Sequence, residues 1–453
     1  MSTAYPLIET RSQTSAPARP LLVSERLSWL ERALLGVGIW EIPLQLDKYY
    51  FLRLEDSELG AVAGANVSIT SFALLLLYPL WFLQAALSRK RTHQRLIWGL
   101  PMLAYMLFIV LSIFAAAVPI LAVFDLLIVV QAYALFFYLA NRVRRREDIL
   151  FVGYVLASVL LTQSMIVFGL AALGERAHGQ RYEYGPLAMV VWEDGRVTGT
   201  LISAVVAGAV TTFLWIPSVA MVLTVKNIRG WIFVTLTTGC GVLAVMLTQT
   251  RGAIVSMLFG VGIVGAALGM RSWLPKWTGA AVLVATLVGG YPLLGIVRNR
   301  VLGDDHGSAD SRVHLSLIAL EMIQDHPWFG YGAGNCHLAA LNYANQSHYR
   351  AEWYYTIHSK YLLAWVETGL GGLLSFLCVM AAAFRYSLKA WNSSDRELAA
   401  LAIAIAASMA GSMVHMSVDL FNSRAQVQLL WVFIGLAAAL YRVTRLNGSL
   451  SPD

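Results

Sequence analysis

Long apolar runs repeat along the whole chain, and they constrain its fold more than any other feature. A run of about 20 apolar residues is long enough to cross a bilayer as a helix, and in lipid the backbone polar groups must bond within that helix. The chain is 58% hydrophobic and only 13% charged, which is about half the charged share of a soluble domain. We therefore predict an all-α membrane protein. The predicted spans, about twelve, are 27–46, 61–87, 96–117, 119–140, 149–173, 198–225, 230–249, 252–270, 276–296, 359–384, 397–418 and 426–443.

Loops rich in Lys and Arg alternate with loops that are not. Because short basic loops stay on the cytoplasmic side, this alternation predicts a multi-pass inner-membrane protein with both termini in the cytoplasm. Residues 1–26, rich in Ser and Pro, are expected to form a flexible cytoplasmic tail, and 27–453 a polytopic membrane domain. The net charge of +7 follows from these loops and indicates no nucleic-acid partner.

Two sizeable segments fall on the predicted outer face, at about 174–197 and 297–358. Within the second, "DSRVHLSLIALEMIQDHP" has apolar residues at Val313, Leu317, Leu320 and Ile323, which is a helical spacing. Asp310 is a candidate N-cap, and Pro327 would end the helix. We expect a short amphipathic helix that lies on the outer membrane surface or roofs a cavity there.

Three ionisable side chains on this face are the main candidates for chemistry. Arg251 stands at a membrane boundary, and Arg312 opens the amphipathic helix. Arginine binds phosphate oxygens in a bidentate manner, so the two could hold a lipid diphosphate. His358 lies at the mouth of an apolar helix and could exchange a proton near neutral pH. Each also has a structural alternative, as a headgroup contact or a helix cap.

Other polar residues are weaker candidates, since loop solubility and salt bridges between helices account for them equally well. The glycines of "HPWFGYGAGNCH" indicate a tight, flexible turn rather than a phosphate loop, because no strand precedes them and no Gly-Lys-Ser/Thr follows. The three cysteines suggest neither a disulfide framework nor a metal site. The weaker candidates are Arg176, Arg181, Asp194, Arg196, Glu352, Lys360, Arg424, Asp125, His415 and Asp419.

Three stretches in this order resemble the O-antigen ligase and O-antigen polymerase superfamily. They are "TQTRGA", "SRVHLSLIALEMIQDHPWFGYGAGN" and "IHSKYLLAWVETGLGG", and with "GRVTGT" they cover about residues 196–372. The resemblance implies a GT-C-like membrane fold and an enzyme that moves a glycan from an undecaprenyl-diphosphate carrier to an acceptor sugar in the periplasm. It implies no cofactor, neither nucleotide sugar nor metal.

Carried over by position, Arg251 and Arg312 correspond to the diphosphate-binding arginines, and His358 to the base for the acceptor hydroxyl. Arg196, Glu352 and Lys360 are secondary candidates. The expected partners are the lipid-linked donor, a glycan or lipid A-core acceptor, membrane lipids, and other polysaccharide assembly and export proteins. Attack opposite the diphosphate would invert the anomeric centre.

Two residues depart from the family pattern, in which Asn often follows this histidine and ligases often have a second His two positions before it. Ser359 and Thr356 occupy these places, so ligase and polymerase both stay open, with a lean towards polymerase. A secondary transporter or flippase is the alternative from another class. Transporters, however, tend to have repeated halves and binding groups near the midplane, whereas the polar candidates here cluster at the outer ends.

Overall fold

The computed structural model describes most of the chain, and it confirms an all-α membrane protein. Thirteen α-helices lie within the described residues, which are 26–52, 60–62, 64–87, 96–184, 187–201, 203–273, 308–343 and 355–446. The helices are α1 (Trp29–Glu41), α2 (Ile69–Leu87), α3 (Leu100–Ser112), α4 (Pro119–Arg142), α5 (Arg146–Ala171), α6 (Ala204–Val222), α7 (Ile228–Thr248), α8 (Arg251–Met270), α9 (Ser308–Asp325), α10 (Cys336–Ala340), α11 (Lys360–Trp391), α12 (Arg396–His415) and α13 (Arg424–Leu446).

Nine of these helices, in the described part of the chain, are long and apolar enough to cross a membrane. They are α2, α4 to α8 and α11 to α13. Helices α1 and α3 occupy two further predicted spans but are only 13 residues each. The predicted span 276–296 and all but the last residue of the predicted tail 1–26 lie outside the described residues.

Local sequence signals set where several helices begin. Helix α1 starts with a capping box: the Ser28 hydroxyl accepts from the Glu31 N–H at 3.2 Å, and the Glu31 carboxylate accepts from the Ser28 N–H at 2.9 Å. Helix α4 starts at Pro119. Proline suits a first helical position because the N–H that it lacks would have no partner within the helix there. Helix α12 follows Asp395, which accepts from the N–H groups of Glu397 and Leu398.

Three helices form the centre of the bundle. Of the most apolar 18-residue stretch, 83% is buried in each of α6, α12 and α13, against 22% in α2 and 28% in α7. Small residues let the backbones approach closely, as at Gly411 of α12, where an added Cβ would lie 2.8 Å from the Ser256 carbonyl oxygen of α8. Helices α2 and α7, with most of their apolar surface exposed, lie at the periphery.

Two short antiparallel hairpins, which the sequence analysis did not predict, lie at one end of the bundle. In the first, β1 (Asp47–Phe51) pairs with β2 (Gly64–Ser68), and Asp47 lies opposite Ser68. In the second, β3 (Arg181–Tyr184) pairs with β4 (Leu187–Val190). Strands β1, β3 and β4 fall in predicted loops, whereas β2 falls in the predicted span 61–87. The first also shortens the predicted span 61–87, since α2 begins only at residue 69.

Helix α9 begins at Ser308, so Asp310 lies inside the helix and is not its N-cap, and most of the predicted apolar stripe is exposed. Val313, Leu317 and Leu320 are exposed, and of the predicted stripe only Ile323 is buried. The inward face consists of Leu315, Ile318, Ala319 and Met322, and the helix packs with it against α10 and α11. The helix is therefore apolar on two sides. One side packs against the protein, and the other is exposed and available to the membrane surface or to another covering element.

The glycine-rich segment after α9 docks against a kink in α11. The N–H groups of Tyr331 and Gly332 donate to the carbonyl oxygens of Val366 and Glu367, at 2.8 and 3.0 Å. At the kink, Gly369 has φ 71° and ψ −178°, and an added Cβ there would overlap the Trp328 carbonyl. Two motifs whose bonded residues are 35 positions apart thus pack together as one unit.

Candidate active site

His358 lies just before α11, and the start of α11 packs against the segment that connects α12 and α13. The N–H of Lys360 donates to the carbonyl oxygens of Met416 and Asp419, at 2.8 and 3.0 Å, and these two bonds fix the mouth of α11. The Tyr355 ring lies 5.2 Å from the imidazole, at an interplanar angle of 38°. Within the described residues, Nδ1 of His358 is buried and makes no hydrogen bond.

The electrostatic surroundings of His358 favour the neutral imidazole. Burial and the Arg312 guanidinium lower the pKa of His358 from its usual 6.5, and the Asp419 carboxylate acts in the opposite direction. Burial penalises the charged form of a histidine, and a neighbouring cation adds to that penalty. At neutral pH the imidazole is therefore in the form that can accept a proton.

A cavity of about 850 Å³ brings Arg312, His358 and Asp419 together. The two hairpins border it: Asp47 and Lys48 from β1, and Arg181 from β3, are among its lining residues. The volume is in the range of pockets that enclose small ligands. Two of the three main candidates therefore meet at one site, although their positions in the sequence are 46 residues apart.

Arg251, the third main candidate, borders the same region but is not among the lining residues of that cavity. It is the first residue of α8, and its neighbour Thr250 donates to the Ala204 carbonyl oxygen at 2.8 Å. Gly252 lies against His415 at the end of α12. The segment from His415 to Asp419 thus has the start of α8 on one side and the mouth of α11 on the other.

Asp419, for which the sequence left open a role as a link between helices, also lies at this cavity. Its side chain is 5% exposed and lines the cavity. One carboxylate oxygen accepts from the Gln426 amide at 2.7 Å and lies 3.9 Å from Nε2 of His415. In the sequence, the signal for Asp419 is a second ionisable residue, His415, four positions earlier near the same outer helix end.

Beneath the cavity, Arg424 is fully buried and holds two acidic residues. Its guanidinium donates to both carboxylate oxygens of Glu41, at 2.6 and 3.2 Å, and lies 2.7 Å from Asp47. Burial raises the pKa of Asp47, and Arg424 opposes that shift. Arg424 and Asp47 both line the cavity, so this ion-paired cluster ties the first helix and the first hairpin to α13 at the base of the site.

Of the secondary candidates, Arg196 and Lys360 do not line this cavity. Arg196 pairs with Asp194 at 2.6 Å and lies over the Trp192 ring at 5.6 Å, within its own turn. Lys360 faces Tyr105, Asp125 and Glu367 inside the bundle, and it does not line the cavity. Glu352 lies outside the described residues. No group of three His, Cys, Asp or Glu side chains able to hold a metal ion occurs in the described part of the chain.

Fold and site together define a polytopic membrane protein with a basic, histidine-containing cavity at one end of its bundle. Residues 236–377 match the model of a family described as O-antigen ligase, and this range contains Arg251, Arg312 and His358. The match confirms, over this range, the resemblance of the motifs to the O-antigen ligase and O-antigen polymerase superfamily. The match supports glycan transfer of that general type. No curated protein matches the chain.

Proposed function

We propose that the protein transfers a glycan from an undecaprenyl-diphosphate-linked donor to an acceptor sugar on the periplasmic side, as a polymerase or a ligase. The observation that carries this proposal is the meeting of Arg312 and His358 at one cavity, at the end of the bundle that bears both hairpins. The other end bears the basic loops, which the positive-inside rule assigns to the cytoplasm.

The arginines bind and stabilise the leaving group in this reaction. A diphosphate spreads its negative charge over several oxygens, and fixed guanidinium groups stabilise that charge as it develops. Arg312 contacts the diphosphate from the cavity wall, and Arg251 reaches it from the start of α8. The isoprenoid tail stays in the bilayer, so the diphosphate is held at the level of the headgroups.

His358 takes the proton of the acceptor hydroxyl. The hydroxyl oxygen attacks the anomeric carbon while the bond from that carbon to the diphosphate oxygen breaks, and its electron pair leaves with the diphosphate. The proton moves to the imidazole, and the Asp419 carboxylate stabilises the imidazolium that forms. Attack from the face opposite the diphosphate inverts the anomeric centre.

Purified protein with lipid-linked donor tests these roles, because binding and turnover can be measured separately. For His358→Ala and His358→Gln we expect donor binding to persist and turnover to fall by about 10²–10⁴-fold, the usual contribution of general-base catalysis. For Arg312→Ala we expect donor binding itself to fall. Arg176→Ala, an exposed arginine at the same end, is the matched control and should behave as wild type.

Two results would contradict the assignment. Near-normal turnover by His358→Gln would leave His358 no more than an orienting residue, and unchanged donor binding by Arg312→Ala would remove it from the diphosphate site. Reporter fusions test the placement in the membrane: a fusion after Lys389 should report the cytoplasm, and one after Tyr343 the periplasm. A cytoplasmic signal after Tyr343 would refute the periplasmic site.

A further inference from the structure

A second cavity, of about 680 Å³, lies at the end of the bundle opposite His358. The segment 96–101, the last turns of α11 and Tyr441 of α13 bound it. Helix α11 starts beside His358, bends at Gly369 and continues to Trp391, so at 1.5 Å per residue its part after the kink is about 33 Å long. That length crosses the hydrocarbon core of a bilayer, which places the cavity at the other membrane surface.

The wall formed by the segment 96–101 is held in place by hydrogen bonds. The Asn141 side chain accepts from the N–H of Ile97 at 2.8 Å and donates to its carbonyl oxygen at 3.0 Å. The Tyr133 hydroxyl donates to the Trp98 carbonyl oxygen at 2.8 Å. Gly99 has φ 63°, and an added Cβ would lie 2.6 Å from the Met102 sulfur. The cavity therefore has a preformed wall and does not need a ligand to create it.

The polar rim of this cavity is positively charged. Arg385 and Lys389 both line it, one helical turn apart on α11, and none of its described lining residues is Asp or Glu. The Lys389 ammonium lies 5.8 Å from the Tyr441 ring, which packs 5.7 Å from the Tyr386 ring.

The rest of the cavity is apolar and opens towards the lipid. Ala381 and Ala382 of α11, with Cys378, give this part of the helix short side chains and leave space beside it. Leu100 and Trp98, on the facing wall, are 74% and 54% exposed. Trp and Tyr at a membrane boundary lie at the level of the headgroups, so the polar rim is level with lipid phosphates and the apolar part with acyl chains.

We propose that this cavity binds an anionic phospholipid, of the phosphatidylglycerol class. Its phosphate lies between Arg385 and Lys389, and an acyl chain runs along Ala381 and Leu100. Arg and Lys both bind phosphate oxygens, and basic pockets between membrane helices on this side bind anionic headgroups. The proposal rests only on the fold and this cavity, so it stands or falls independently of the glycan-transfer mechanism.

Native mass spectrometry of the purified full chain, with phosphatidylglycerol or phosphatidylcholine of identical acyl chains, tests this site. For the double variant Arg385→Gln/Lys389→Gln we expect affinity for phosphatidylglycerol to fall by about thirtyfold, the effect of two interfacial cations. Lys226→Gln/Arg229→Gln is the matched control: it removes the same two residue types from exposed positions at the same end of the bundle, outside the cavity. Its affinity should be unchanged.

A third variant covers the case in which the double variant does not fold. Ala381→Trp fills the apolar part of the cavity and keeps both cations, and it should also lose phosphatidylglycerol. Equal retention of this lipid by wild type and by a folded variant of the cavity would overturn the proposal. So would equally tight binding of phosphatidylcholine to the wild type, or binding of undecaprenyl phosphate in place of phosphatidylglycerol.

Discussion

Gly252 and His415 lie in direct contact: a Cβ on Gly252 would lie 2.8 Å from Nδ1 of the imidazole. The contact joins the start of α8 to the end of α12 and explains why a residue without a side chain follows Arg251. His415 leads into the turn that carries Asp419 to the cavity. The glycine thus connects the position of one candidate diphosphate ligand with that of the carboxylate beside His358.

Gly252→Ala should reduce glycan transfer even though it adds only one methyl group. The new Cβ displaces His415, with overpacking strain of about 1–3 kcal/mol, and we expect turnover to fall about tenfold with purified donor and acceptor. Gly262→Ala is the control on the same helix, because a Cβ there meets nothing within 4 Å. Equal activity of the two variants would show that the contact has no part in shaping the site.

The pH profile of turnover should report the charges around His358. The neutral imidazole is the active form, so activity is present above its pKa and is lost as the pH falls through that pKa. Arg312 lowers the pKa and Asp419 raises it. In Arg312→Gln the acidic limb of the residual activity should therefore move to higher pH, and in Asp419→Asn to lower pH. An acidic limb at the same pH in all three proteins would mean that it belongs to another group.

Gly369→Ala should destabilise the whole protein. The residue has a φ of 71° and a ψ of −178°, a backbone conformation essentially restricted to glycine that costs another residue about 1–3 kcal/mol, and an added Cβ would overlap the Trp328 carbonyl. We expect a clearly lower melting temperature in detergent and little folded protein in the membrane. Gly265→Ala, in open space on α8, controls for the loss of a glycine in an apolar helix. A wild-type melting temperature for Gly369→Ala would contradict the docked arrangement.

Arg424→Met should destabilise the bundle by about 3–5 kcal/mol, the usual consequence of leaving buried charges without their partner. Glu41 and Asp47 would both lose the cation that now holds them. Thermal unfolding in detergent measures the effect. Arg181→Gln breaks a pair with Glu183 in which both side chains are more than half exposed, and such pairs contribute at most about 1 kcal/mol. Similar melting temperatures for the two variants would refute the structural role of Arg424.

Hydropathy predicts the long helices because lipid forces an apolar run to bond internally. It does not predict where α1 ends. The apolar run continues to about residue 46, but the helix stops at Glu41, where the carboxylate meets Arg424, and Pro43 follows two residues later. The partner of Glu41 lies near the other end of the chain, and no local pattern contains that information.

The candidate site could be predicted only in part, because some of its residues are brought together by contacts between distant segments. Arg312 and His358 carry family motifs, so sequence resemblance alone brings them together. Lys360 carries the same motif as His358, yet the helix turns its side chain towards Asp125 and Glu367. Asp419 reaches the cavity only because the backbone of Lys360 bonds to its turn. The direction of the Lys360 side chain and the contact between Lys360 and the turn of Asp419 determine these two positions. Sequence periodicity predicts neither.

The ion pair between Glu41 and Arg424 also has a consequence for biogenesis. The two residues are 383 positions apart, and at about 5–20 residues per second the ribosome needs roughly 20–80 s to make the intervening chain. During that interval the Glu41 carboxylate has no permanent counter-ion and must stay hydrated or associate with a temporary partner, such as the insertion machinery. The base of the cavity closes only when the last helix has been inserted, so an incompletely synthesised chain lacks a finished site.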